Sequence, residues 1–280
     1  MEKLVSTEWL AARLDAEDLV ILDATQHLGG SDRDARAEFE AGHIPGARFL
    51  DLDSFFDPAS SIGKAMPTKE QFAERLGDLG VAPGSRIVLY DDSAIRSSAR
   101  AWFILDHYGE QNKAILDGGL AKWKAEGREL SAQTGEHAPR ARIAHDGRRT
   151  VMSKDDMQDN LESGKHQVVD ARDAARFTGA VQDHVHGLAG GHIPGARNLP
   201  FTQLFAPDGT YLPVAELRER FSAAGVDPSR PLVASCGSGM TASVVLFAQG
   251  LLGYEGALYD GSWSEWGADP DTPKAIGEAH

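Results

Sequence analysis

The chain has 280 residues, of which 41% are hydrophobic and 25% are charged, a composition typical of globular proteins. Its formal net charge of −14 argues against a nucleic-acid or anionic-membrane partner, because such binding depends on clustered lysines and arginines. The single cysteine excludes an intramolecular disulfide, and no apolar run approaches the roughly 20 residues of a membrane-spanning helix. We therefore expect a cytoplasmic protein of about two domains.

An internal repeat organises the chain. The motif "GHIPGAR" occupies residues 42–48 and recurs identically at residues 191–197. Other pairs follow in the same order: "VILDA" with "QVVDA", "GVAPGSRIVLYD" with "GVDPSRPLVASC", and "DGGLAKW" with "DGSWSEW". We therefore predict one domain present twice, with a first copy at residues 1–135, a polar linker at 136–150 and a second copy at 151–280.

Short apolar runs alternate with helical patterns in each copy. Ser6 and Ser153 are predicted helix N-caps, Ser153 with an approximate capping box. The first copy then reads, in order, "LVILDA" (strand), "KEQFAERLGDLGV" (helix), "RIVLYDD" (strand) and "SSARAWFILDHYG" (helix). The second copy repeats this order with "QVVDA", "VAELRERFSAAGV", "PLVASCG" and "TASVVLFAQGLLGY". This alternation indicates an α/β fold, a mainly parallel sheet flanked by helices in each copy.

Cys236 ends the second buried strand of the second copy, the edge at which open α/β sheets bind ligands. The residues between it and the next predicted helix are Gly237, Ser238, Gly239, Met240 and Thr241. Their backbone N–H groups and the helix dipole are expected to face the sulfur and to stabilise negative charge on it. A buried structural cysteine is the alternative, but such a residue needs no glycine-rich turn.

The first copy differs from the second at this position. It has Asp91 in place of Cys236, and "DDSAIRSS" keeps none of the small residues of "CGSGMTAS". A carboxylate cannot accept and carry a sulfur atom. We therefore predict a non-catalytic first domain and a catalytic second domain.

The tandem copies, both "GHIPGA" motifs, the "CGSGMTAS" loop and "DGSWSEW" together resemble the two-domain rhodanese family, specifically its 3-mercaptopyruvate sulfurtransferase branch. The resemblance covers nearly the whole chain. It implies a cysteine that takes sulfur from a small anionic donor as a persulfide and passes it to cyanide or to a thiol acceptor, such as thioredoxin or a small thiol. We predict no cofactor, and the single cysteine and scattered histidines lack metal-ligand spacing.

Substrate-binding residues follow from the same resemblance. Arg176 stands where the family places an arginine that grips the anionic end of the donor, a role suited to a guanidinium fork. Arg172 resembles half of a structural ion pair and is a weaker candidate for substrate binding. Val185 stands where this branch often carries a second arginine, and the flanking His184 and His186 could supply charge there at low pH.

Ser238, His43 and Asp34 resemble the Ser-His-Asp relay of this branch, which would deliver a proton to an enolate leaving group. Asp32 is the alternative acid. A purely structural role for His43 has equal weight, because His192 occupies the same place in the second "GHIPGAR" motif.

The loop sequence bears on three other functions. A thiosulfate:cyanide sulfurtransferase typically has Arg and Lys directly after the cysteine, where this chain has Gly237 and Ser238. A cysteine phosphatase needs an arginine six residues after the cysteine, a position occupied by Ala242. A catalytically silent rhodanese-like binding protein would fit the first copy alone. The sequence therefore favours 3-mercaptopyruvate as the donor, with thiosulfate as the first alternative.

Overall fold

The computed structural model describes residues 1–135 and 137–278 and divides the chain into two compact units. Unit 1 comprises Met1–Asp57, Met66–Arg148 and Ala206–Tyr211. Unit 2 comprises Pro58–Ala65, Arg149–Phe205 and the chain from Leu212 onward. Glu136, the first residue of the predicted linker, and residues 279–280 of the predicted second domain lie outside the described residues. Each unit also contains a short segment from the other half of the sequence, which the repeat did not predict.

A five-stranded parallel sheet forms the centre of unit 1 within the described residues, in the order β1-β5-β4-β2-β3. Its strands are β1 (Leu4–Val5), β2 (Leu19–Asp23), β3 (Arg48–Phe49), β4 (Arg86–Tyr90) and β5 (Lys113–Leu116). The central strand β4 is an almost continuous apolar run, with all residues after Arg86 buried. Strands covered on both faces have this character, whereas half-exposed strands alternate apolar and polar residues.

Helices pack on the sheet of unit 1: α1 (Thr7–Ala11), α2 (Ala35–Ala41), α3 (Lys69–Asp78), α4 (Ser98–His107) and α5 (Gly119–Ala125). Ser6 caps α1 by accepting a hydrogen bond from the backbone N–H of Trp9, as predicted. One core cluster joins Leu10, Phe39 and Trp123 from three of the helices to buried strand residues. Burial of these side chains holds the helices on the sheet.

Unit 2 has a second five-stranded parallel sheet within the described residues, in the order β6-β10-β9-β7-β8. Its strands are β6 (Val151–Met152), β7 (Gln167–Asp170), β8 (Arg197–Asn198), β9 (Leu232–Ser235) and β10 (Ala257–Tyr259). The order is the same as in unit 1, element for element. The sequence repeat is therefore also a structural repeat.

The helices of unit 2 are α6 (Lys154–Ser163), α7 (Ala174–Thr178), α8 (Val214–Ala223), α9 (Ala242–Leu251) and α10 (Ser262–Trp266). Ser153 and Asp156 form the predicted capping box at the start of α6. Helix α9 is buried from Ala242 to Gly250, which agrees with its apolar sequence. The α/β prediction and the eight predicted strands and helices are confirmed. None of the helices in the described part of the chain has the length and apolar character needed to cross a bilayer.

Candidate active site

Cys236 is the first residue after β9, at the carboxyl end of a strand that lies between β10 and β7. It is buried, with 1% of its surface exposed. Its carbonyl oxygen accepts a hydrogen bond of 3.0 Å from the N–H of Trp263, which ties the loop to α10. The chain then turns through residues 237–241 into α9.

Several backbone N–H groups of this loop are free to bind an anion. Those without a partner among the described residues belong to Gly237, Ser238, Met240 and Thr241. They precede the ten-residue helix α9, whose dipole adds positive potential at its first turn. Histidine, cysteine and acidic side chains do not gather anywhere in the described residues in a group that could hold a metal ion. The loop therefore offers backbone dipoles to a negatively charged sulfur species.

Ser262 holds the loop in place, a role that the sequence did not reveal. Its Oγ accepts hydrogen bonds from the N–H groups of Cys236 (3.1 Å) and Gly239 (3.2 Å), and donates to the carbonyl of Tyr259 (2.8 Å). The N–H of Gly239 is therefore not available to the sulfur, contrary to expectation. Ser262 has a φ of 50°, a conformation that non-glycine residues rarely adopt.

The two loop glycines are needed for different reasons. Gly239 has a φ of +74°, which disfavours any residue with a Cβ. Gly237 has no such backbone requirement, but a Cβ there would lie 2.7 Å from Nε2 of His186 and 2.9 Å from its Nδ1. The imidazole of His186 therefore packs directly on the residue that follows Cys236.

Arg172 is a buried structural residue. Its guanidinium is 1% exposed and contacts Asp170 through Nε and Nη2, the latter at 2.6 Å. Nη2 also donates to the carbonyl of Gly191 (2.6 Å), and Nη1 lies 3.3 Å from Asp183. All its nitrogens thus have protein partners, so the geometry supports the predicted ion pair and argues against the predicted substrate contact.

Arg176 lies on α7 and retains a free donor. Its Nε bonds the carboxylate of Asp173 at 2.5 Å, and its Nη1 lies 3.5 Å from Asp183. Nη2 has no partner within the described residues, and 22% of the side chain is exposed. Arg176 can therefore bind an anion through one edge of the guanidinium, although two carboxylates already offset its charge.

Asp183 and His186 form a pair that the sequence did not single out. The Asp183 carboxylate is fully buried, and its Oδ1 lies 3.0 Å from Nδ1 of His186. Burial raises the pKa of this carboxyl group, but His186, Arg176 and Arg172 outweigh that effect and hold the pKa well below its usual value. By contrast, the neighbouring His184 is exposed and its side chain has no partner among the described residues.

His43 has the environment of a structural residue. It is fully buried, its Nδ1 lies 2.7 Å from the carbonyl of Phe39, and its ring stacks on Phe39 at 3.9 Å. Its Nε2 lies 3.3 Å from the carbonyl of Gln133. His192 repeats this arrangement on Phe177, with a 2.9 Å contact and stacking at 3.8 Å. The same geometry in both copies favours the structural alternative for His43.

Asp34, the predicted acid partner of His43, does not lie beside it. Asp34 caps the first turn of α2, where its Oδ1 accepts from two backbone N–H groups at 3.0 Å. His43 follows the other end of that seven-residue helix, roughly 10 Å along its axis. The side chains of Asp32 and Ser238 make no hydrogen bond with the described residues. The expected pairing of Asp34 with His43 is therefore wrong, because the helix separates them.

Equivalent aspartates in the two units have different partners. Asp170 is paired with Arg172, whereas Asp23 in unit 1 has Thr25 at the corresponding position. Burial raises the pKa of Asp23 from 3.8 to about 6, despite hydrogen bonds from Thr25 and Tyr90. The folded state therefore favours the neutral, protonated form of Asp23.

We expect this difference to appear in the pH dependence of stability. Because the pKa of Asp23 is higher when folded, its contribution is fully present below about pH 4 and is lost as pH rises through about 6. The unfolding free energy of Asp23→Asn minus that of wild type should increase by about 2 to 3 kcal/mol when the pH is raised from 4 to 7. Denaturant titrations at both pH values measure this difference.

Asp170→Asn is the matched control, since it leaves the buried charge of Arg172 short of a partner. It should destabilise the protein at pH 7, by about 3 kcal/mol or more. If the difference in unfolding free energy between Asp23→Asn and wild type stays constant with pH, the raised pKa of Asp23 is contradicted.

Residues 6–126 and 153–269 each match the rhodanese-like domain family. The two stretches correspond to the two copies of the repeat and together cover most of the chain. The chain therefore belongs to the rhodanese-like domain family, which confirms the resemblance drawn from its motifs.

Relatives along the whole chain define its class further. It is 40% identical to human 3-mercaptopyruvate sulfurtransferase, over 94% of this chain and 91% of the human one. It is 35% identical to the mitochondrial thiosulfate/3-mercaptopyruvate sulfurtransferase 1 of Arabidopsis thaliana, over 97% and 78% of the two chains. The crystal structure of SseA from Escherichia coli, a 3-mercaptopyruvate sulfotransferase with the rhodanese fold, superposes with a TM-score of 0.85 at 35% identity, covering 94% of this chain and 99% of SseA. This chain is an enzyme, a sulfurtransferase that uses a sulfur donor and a sulfur acceptor.

Proposed function

We propose that this chain transfers sulfur from 3-mercaptopyruvate to Cys236 and from there to a thiol or cyanide. The observation that carries the proposal is the loop at residues 237–241, which has no charged side chain and offers N–H groups that are unbonded within the described structure. Such a loop stabilises negative charge on sulfur but gives a dianionic donor no ionic contact. A donor with a single carboxylate fits it better.

The first half-reaction forms a persulfide. The Cys236 thiolate attacks the donor sulfur, so a sulfur–sulfur bond forms and the sulfur–carbon bond breaks. The electron pair of the broken bond leaves on pyruvate enolate, which takes up one proton, while the donor thiol gives up one proton and leaves the persulfide as an anion. The N–H groups of Gly237, Ser238, Met240 and Thr241, which have no partner among the described residues, are available to stabilise this charge.

The second half-reaction restores the enzyme. The acceptor attacks the outer sulfur, and the electron pair of the sulfur–sulfur bond returns to Cys236 as a thiolate. Cyanide becomes thiocyanate, and a small thiol or a thioredoxin thiol becomes a persulfide. A reducing compartment such as the cytoplasm keeps the lone thiol and its acceptors reduced.

Arg176 is the proposed carboxylate-binding residue because its Nη2 has no partner in the part of the chain that the structure describes, while the nitrogens of Arg172 are occupied. Asp173 and Asp183 weaken its field, and Val185, which is 48% exposed, adds no charge. We therefore propose that the donor carboxylate is held by one guanidinium edge, whereas the sulfur is held by the loop.

Steady-state kinetics with 3-mercaptopyruvate and thiosulfate, each with cyanide and with a thiol as acceptor, tests this function. We expect a higher kcat/KM for 3-mercaptopyruvate. Each missing charged contact is worth about 1.5 to 3 kcal/mol, which handicaps thiosulfate by roughly tenfold or more at each position. Equal or reversed values would assign the chain to thiosulfate instead.

Ser238→Lys tests the charge argument directly, because it places a cation in the loop. It should shift the ratio of the two kcat/KM values toward thiosulfate by roughly tenfold. Ser222→Lys, at an exposed position on α8, adds the same charge away from the loop and should leave the ratio unchanged. An unchanged ratio in Ser238→Lys would refute the argument.

A further inference from the structure

His186 lies in contact with the loop that carries the nucleophile. Its ring covers Gly237 so closely that a Cβ at that position would clash with Cε1. The side chain is nevertheless 15% exposed, so protons can reach it from solvent. An ionisable ring therefore packs on the residue directly after Cys236.

Asp183 fixes the orientation and the tautomer of this ring. Its carboxylate is fully buried and ionised, since the surrounding cations lower its pKa, and it can only accept a hydrogen bond. Nδ1 of His186, 3.0 Å away, therefore carries a proton. Nε2 of the same ring has no partner among the described residues.

His186 contacts a network of ion pairs in which Arg172 and Arg176 pair with Asp170, Asp173 and Asp183. These two cations and three anions leave an excess of one negative charge. The loop side chains at residues 237–241 and helix α9 carry no charge, whereas the segment after β10, which is hydrogen-bonded to the loop, carries the acidic residues Asp260 and Glu265. Protonation of His186 therefore offsets negative charge in this network.

We propose that His186 is a positioning residue for the catalytic thiolate: held by Asp183 against Gly237, its protonated ring stabilises the anionic sulfur of Cys236. The ring acts through its charge and forms no bond to sulfur, and the thiol proton leaves to solvent. An opposite charge close to an ionisable group favours the charged form of that group. The inference rests on the proposed function only in taking Cys236 as the nucleophile.

Alkylation of the free protein by iodoacetamide, followed from pH 5 to 9, tests the inference. Cys236 is the sole cysteine, so the rate reports on this thiol alone. His186→Asn keeps a donor for Asp183 but removes the titrating nitrogen. At pH 6 we expect alkylation to be about tenfold slower than in wild type, because the thiolate loses its counter-charge. The two profiles should converge above about pH 8, where an ordinary histidine is neutral.

His184→Asn is the matched control, because His184 is exposed, two residues away and without a side-chain partner in the described structure. Its alkylation profile should follow that of wild type. Coincident profiles for His186→Asn and wild type would overturn the inference. A slowing of equal size at every pH would also overturn it, since that indicates a displaced loop and not a charge effect.

Turnover of 3-mercaptopyruvate by the same variants separates this inference from the proposed function. If the donor is wrong, neither protein turns it over, yet the alkylation profiles still differ at low pH. If the role of His186 is wrong, wild type and His186→Asn turn the donor over with the same pH profile and their alkylation profiles coincide.

Discussion

The Cys236→Ser variant is expected to form no persulfide and to lose essentially all sulfur transfer. Cys236 is the sole thiol, and a serine hydroxyl is a far weaker nucleophile that cannot hold a sulfane sulfur. Mass spectrometry after treatment with 3-mercaptopyruvate should show one added sulfur atom in wild type and none in the variant. Substantial residual turnover by the variant would defeat the assignment of the nucleophile.

Asp91→Asn is the matched control, at the equivalent position in unit 1. The Asp91 carboxylate accepts hydrogen bonds from the N–H and hydroxyl of Ser93 and from the N–H of Ser98, so it is bonded to the loop that follows it. The asparagine should lower the free energy of unfolding by about 1 to 3 kcal/mol, because its NH2 group would face one of these hydrogen-bond donors. The persulfide should still form, and its absence would show that the two copies have been misassigned.

The fold could largely be predicted because its signals are local or repeated. The buried strands β2, β4, β7 and β9 are short apolar runs bounded by turns, and each strand pattern in one copy has a counterpart in the other. The exchanged segments, 58–65 and 206–211, could not be predicted. These segments are short and irregular, so the unit to which each belongs depends on tertiary packing. The hydrophobic periodicity of the sequence does not indicate such packing.

The site was predictable only where neighbouring residues define it. The loop after Cys236 is a continuous stretch, whereas Ser262 lies 26 residues away and His186 comes from an irregular loop. The Asp34–His43 pairing failed because spacing alone did not show that α2 lies between them. One signal for Ser262 was present: it replaces Gly119 of the first copy, where φ is +58°.

Ser262→Ala is expected to slow persulfide formation by roughly a hundredfold. Its hydroxyl is the acceptor for the N–H groups of Cys236 and Gly239, and both would be left buried without a partner, at about 1 to 3 kcal/mol each. The loop should move to satisfy them, and a shift of about 1 Å in a reacting group can cost a hundredfold in rate. Single-turnover kinetics with 3-mercaptopyruvate measures this step.

A comparison of Ser262→Gly with Ser262→Ala separates the hydroxyl from the backbone. Glycine also removes the hydroxyl, so it should be equally slow, but it accepts a φ of 50° and should be more stable than alanine by about 1 kcal/mol. Ser264→Ala, on the same helix, removes a hydroxyl whose sole partner among the described residues is the carbonyl of Gly261, and it should keep the wild-type rate. A wild-type rate in Ser262→Ala would show that the Ser262 hydroxyl does not hold the loop. An equal loss in Ser264→Ala would show that the rate depends on α10 as a whole and not on that hydroxyl.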